Sequence, residues 1–72
     1  MKYFFHLIGE LPAHDVLGHE CANDKEARDH ASFIAHRVGT EKPSMVREGN
    51  YISATNEDGK EVAQVPLAST TA

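Results

Sequence analysis

KYFFHLI, residues 2–8, decides how this chain is read. Aromatic and branched side chains fill most of its positions, the composition of a β-strand. In a strand, alternate side chains point to opposite faces, so Tyr3, Phe5 and Leu7 lie on one side and Phe4, His6 and Ile8 on the other. Both sets are largely apolar, and both therefore call for cover. His6 is the least apolar member of either set, which assigns Tyr3, Phe5 and Leu7 to the core.

One helix is available to cover that side. Asn23 followed by Glu26 is the asparagine form of a capping box, in which side chains satisfy free backbone N–H groups. Ala27, Ala31, Ile34, Ala35 and Val38 then recur at the spacing of a single helical face. Asp24 and Arg28 stand at i,i+4 in the favourable orientation. Gly39 is placed to end the helix in a left-handed conformation, and Pro43 prevents it restarting. The alanines make the face shallow, so the helix can lie close to a sheet. Phe33 falls off the stripe and covers its edge.

Beyond the helix, NYISAT and KEVAQVPL flank Asn56-Glu57-Asp58-Gly59 and read as a hairpin. Asp-Gly is a strong signal for a two-residue turn with positive φ at both positions. That turn sets Ile52 opposite Val65 and Ala54 opposite Ala63, giving one apolar face. A three-residue loop would oppose Ile52 and Gln64 unless a bulge intervened. Pro66 cannot donate to a ladder and belongs at an edge or a bulge. Between the first strand and the helix, Asp15–Gly18 reads as a turn, with a short strand possible at His19–Ala22. The fold class is therefore α+β: an antiparallel sheet of three or four strands with one helix packed on one face. Residues 1–67 form a single small domain, and 68–72, ASTTA, read as a frayed tail.

The chain has 72 residues, 40% apolar and 25% charged, which suits one folded domain. A core of this size yields roughly 3–5 kcal/mol, and small domains often add a disulfide, a metal or a partner subunit. Cys21 is the one cysteine, which rules out an internal disulfide and fits a reducing compartment. The first apolar run ends at Ile8, short of a signal-peptide core, and no segment approaches a membrane span. The cytoplasm is the expected location, with no membrane partner. The net charge is −4 and the seven bases are scattered, so no nucleic acid is expected as a partner.

Geometry directs attention to the face the helix leaves open. Phe4, His6 and Ile8 line it, joined from the hairpin by Tyr51, Ser53, Val62 and Gln64. Either the 13–22 or 40–50 segments fold over it, with His6 a hydrogen-bonded histidine at a margin, or it meets another protein or a second copy of the chain. The leading expectation is a non-enzymatic protein-interaction module, a homodimer being one form, with Phe4, His6, Ile8, Tyr51 and Val62 as the candidate face.

The alternative is a small-ligand or metal-binding protein built on His6, His14, His19 and Cys21, ligand types that zinc accepts. The spacing H-x4-H-x-C matches no zinc signature, and no cofactor or metal is assigned. His30 and His36 are six apart on the helix and do not share a face. Cys21 and His19 could be read as nucleophile and base, but no third group or oxyanion donor accompanies them. The five glycines are dispersed, so there is no phosphate-binding loop.

Four short features taken in order carry a resemblance: Tyr3-Phe4-Phe5-His6, Asp15-Val16-Leu17-Gly18, Ala27 and Ala31 with Ile34, and Asp58-Gly59. Together they resemble a family of short, uncharacterised bacterial proteins common in rhizobia, known as a domain of unknown function. The likeness runs from Lys2 to about Leu67. Cys21 and Asn23 depart from it, standing where an apolar residue and an acid are more usual. The resemblance implies a soluble, single-domain bacterial protein and supplies no activity, cofactor or catalytic residue.

Overall fold

A computed structural model describes residues 1–68. Of the tail expected at 68–72, only Ala68 falls within the described residues. The elements are β1 (Lys2–Ile8), β2 (His19–Glu20), α1 (Asp24–Glu41), a single 3-10 turn (Pro43–Met45), β3 (Tyr51–Thr55) and β4 (Glu61–Pro66). The strands form one antiparallel sheet in the order β2-β1-β3-β4, with α1 across one face. This is the α+β layer pair expected from the sequence.

The alternation in β1 divides as the sequence implies. Tyr3 and Phe5 are buried and Leu7 packs against the same core. They meet Ile52, Ala54, Ala63 and Leu67 from the sheet side. From the helix come Ala27, Ala31, Ala35 and Gly39, an unbroken i,i+4 ridge of small residues. Asn23 Oδ1 accepts the Glu26 N–H at 2.9 Å. The reciprocal arm reaches one residue further back, Glu26 Oε1 accepting the Ala22 N–H at 3.0 Å. Asp24 does not pair with Arg28; it accepts the Tyr3 hydroxyl at 2.6 Å, tying β1 to the start of α1. That bond, together with burial, pushes the Tyr3 pKa up to about 12.

Two local expectations are corrected. Gly39 does not end the helix, which continues to Glu41, and it lacks the positive φ of a C-terminal glycine. Its role is clearance: a Cβ there would run into the Ala68 carbonyl oxygen, where the chain leaving β4 passes beneath α1. The hairpin keeps the expected register, Ile52 opposite Val65 and Ala54 opposite Ala63, but reaches it differently. Gly59 alone has positive φ, its N–H bonds to the Asn56 carbonyl, and the Asn56 N–H bonds to Lys60. This is a three-residue loop, and a shift between Ala54 and Thr55 restores the register. Glu61, not Val62, consequently stands opposite Thr55. Pro66 lies in β4, an edge strand of the sheet, as its missing N–H requires.

Three substitutions test this packing. Phe5→Ala should lower the urea-unfolding free energy by about 3–5 kcal/mol as a core truncation, whereas Phe4→Ala should cost clearly less. Gly39→Ala should destabilise by about 1–3 kcal/mol through overpacking, although alanine is the better helix former by about 1 kcal/mol. A stabilised Gly39→Ala variant would contradict the close passage of Ala68.

Candidate interaction face

The face of the sheet turned away from α1 begins with the pairs Phe4–Thr55, His6–Ser53 and Ile8–Tyr51 between β1 and β3. Phe4, His6, Ile8 and Tyr51 all lie there, each half-buried. Val62 does not complete the set: it packs against the core cluster, and the bulge gives its expected place to Glu61. The result is more polar than unbroken alternation implies. Glu61 Oε2 accepts the buried Ser53 hydroxyl at 2.6 Å, and Glu61 Oε1 accepts the Gln64 amide at 2.8 Å.

An arm formed by residues 13–20 runs antiparallel to β1 along its outer edge. Leu7 and Ala13 exchange backbone hydrogen bonds at one end, and Tyr3 and Lys2 pair with His19 and Glu20 at the other. Between them the arm bows away from the strand, and the Asp15 carboxylate fills the gap. Its Oδ2 accepts the Phe5 N–H at 3.2 Å, while Oδ1 accepts the N–H groups of Leu17 and Gly18 at 3.0 Å each. A side chain thus replaces a missing rung of the ladder and folds the turn beside it. Burial raises the Asp15 pKa, but the donors from Gly18, Phe5 and Leu17, with His6 nearby, more than offset this and hold it below its ordinary value. The bow leans on the open face. Gly18 has φ +77°, and a Cβ there would meet the Lys2 side chain at 2.7 Å and the Phe4 ring at 3.1 Å.

The same arm fixes His6. Its Nδ1 accepts the Asp15 N–H at 3.1 Å, which leaves the proton of the neutral ring on Nε2, 3.2 Å from Thr55 Oγ1. A histidine that activates a hydroxyl needs the opposite arrangement, with Nε2 free to accept. The Thr55–His6 pair is therefore a structural contact in this geometry.

The four residues considered as a metal set are not brought together. His6 and His14 pack edge to face at 5.3 Å on the open side, whereas His19 packs with Phe5 and Cys21 is buried in the core. Among the described residues no three His, Cys, Asp or Glu side chains converge on a point suited to a metal ion. Cys21 is 2% exposed and burial pushes its thiol pKa up, the environment of an unreactive cysteine.

Sequence reading missed two surface features. Val16 and Leu17, adjacent at the crest of the bow, are each 81% exposed. The apolar pair was visible in the sequence; that Asp15 would hold it outward was not. The other feature is a stack of His19 on His30, with ring centroids 4.1 Å apart and planes 3° from parallel.

Removing the Asp15 carboxylate should cost about 1–3 kcal/mol, because Asp15→Ala leaves backbone N–H groups without partners. Since the folded pKa is lowered, this contribution is complete above the ordinary aspartate range and is lost as pH falls through the folded value. Urea melts of both chains should therefore converge in acid. A constant difference across the whole range would contradict the role given to the carboxylate.

Among the described residues no helix is long and apolar enough to cross a membrane. Comparison with curated proteins and with solved structures finds no match in either set. A family model does match, over residues 2–68, which takes in β1, the arm, α1 and the hairpin. The chain belongs to the family described as Domain of unknown function (DUF6894).

Proposed function

We propose that this is a small, non-enzymatic, cytoplasmic protein-interaction module that associates with a second copy of itself through the crest of the arm and the neighbouring open face. The observation that carries the reading is the display of Val16 and Leu17, two adjacent branched side chains left 81% exposed by a turn that Asp15 holds in place. Isolated exposed apolar residues are ordinary, but here two adjacent ones are held outward on a turn whose Gly18 lies against the half-buried Phe4 ring, apolar surface of the kind that marks contacts. Ile8 and Tyr51 extend the open face beyond it. The size of the chain supports the same reading, since its single cysteine is buried and offers no disulfide to a small core.

The groups that could do chemistry support a non-enzymatic role. His6, Asp15, Ser53, Glu61, Tyr3 and Asp24 are all engaged in internal hydrogen bonds, and Cys21 is buried.

Sedimentation equilibrium from micromolar to millimolar concentration tests the proposal. The wild-type chain should pass from monomer to dimer over that range. The Val16→Ser/Leu17→Ser variant should remain monomeric at unchanged stability, because exposed substitutions usually fall within about 0.5 kcal/mol. A wild-type chain that stays monomeric throughout, or a variant that dimerises equally well, would overturn it.

A further inference from the structure

The His19–His30 stack joins elements that otherwise touch little. His19 belongs to β2, a strand of two residues, and His30 sits on α1. Phe5 packs its ring against both, edge to face, at 4.8 Å from His30 and 6.4 Å from His19. Phe33 adds a further ring 6.2 Å from His30. The stack thus links one end of the arm to both helix and core, while the other end is held by the Leu7–Ala13 bridge and Asp15.

The surroundings contain little to share a positive charge. From β2 the titratable neighbours are His19 itself and Glu20, whose carboxylate is taken by the Met1 amino group at 2.7 Å. From β1 the facing side chain is Phe5, which is uncharged, and further along Tyr3 is bonded to Asp24. On α1, Glu26 holds the Ala22 N–H and Asp29 pairs with Lys25. The neighbouring Cys21 thiol is buried, with its pKa raised, and stays neutral. Parallel rings at this spacing suit neutral imidazoles; protonating both would place like charges 4.1 Å apart without a carboxylate between them.

We propose that the His19–His30 stack is a proton-operated clasp: neutral, it holds β2 and the arm against α1 and the edge of β1, and protonation releases them. The sign follows from burial. His30 is held below the ordinary histidine value, first by desolvation and then by His19. A depressed folded pKa means that the open form binds more protons, so the clasp is fully effective above the ordinary histidine range and weakens as pH falls through the folded value. Asp15, with its pKa held below the aspartate range, keeps its end of the arm in place to lower pH. Opening would therefore begin at β2, exposing the edge of β1 at Lys2 and Tyr3 and, just beyond β2, the Cys21 thiol.

Cys21 supplies the readout. Its labelling by a dithiodipyridine, relative to a small model thiol, would be followed from neutral pH to about pH 5, beside urea melts and histidine ring spectra of the same full-length chain. Wild-type labelling should rise several-fold in acid, ahead of any global unfolding, as the His19 and His30 ring signals lose the shifts of the stack. In His30→Phe, which keeps an aromatic ring without the charge, labelling should be flat over this range. If that variant does not fold, the wild-type spectra decide alone. The proposal is overturned if the two chains show the same profile, if exposure follows global unfolding only, or if the stacked shifts persist once both rings are charged.

Discussion

The distance between helix and sheet is set by a ridge with almost no side chains: Ala27, Ala31, Ala35 and Gly39, all buried. Because the ridge is shallow, one helix can lie low across β3 and β4 while the larger groups Tyr3, Phe5 and Ile52 fill the space beside it. Among the described residues there is no second α-helix, so the opposite face has to be managed by the sheet's own residues. His6 with Thr55 and Glu61 with Ser53 do so by hydrogen bonding across strands, and Gln64 joins Glu61 along β4. The arm does the rest by leaning over Phe4.

The arm also resolves a problem of edges. An uncovered β1 would present free N–H and C=O groups along a strongly apolar strand, a template for unwanted pairing. Two short paired stretches and one carboxylate cover it, at the cost of displaying Val16 and Leu17. The arm joins edge protection, the candidate contact patch and the histidine clasp in one segment, residues 13–20, held at one end by the Leu7–Ala13 bridge and Asp15 and at the other by its pairing with Lys2 and Tyr3 and by the His19–His30 stack. Its two fastenings respond to different ranges of pH, because one is a carboxylate stabilised in its charged form and the other a half-buried ring stabilised in its neutral form.

What the sequence made legible was local. The alternation of β1, the Asn23 cap with Glu26 and the alanine stripe depend on residues a few positions apart, the hairpin register on two runs joined by one short loop, and all appear as expected. What it hid depended on distant partners. Gly39 reads as a helix terminator until Ala68, 29 positions on, is seen to occupy the place of its side chain. Asp15 reads as a turn residue, yet one of its oxygens serves Phe5, ten positions back. The hairpin loop differs from its expected form for another reason: a longer loop and a bulge compensate, so the same cross-strand pairs arise from either route. That compensation moved Glu61 into the place assigned to Val62 and made the open face more polar than expected. The histidine stack left no trace, because its rings come from two elements with no shared period.

The most direct measurement of the close helix–sheet contact compares two leucines placed side by side on α1. Ala31 is fully buried against the sheet and Ser32 is exposed beside it. Urea unfolding of Ala31→Leu should show a loss of about 1–3 kcal/mol or complete unfolding, while Ser32→Leu leaves the midpoint nearly unchanged. Equal tolerance of both substitutions would mean that the helix stands off the sheet, and the layer arrangement described here would be wrong.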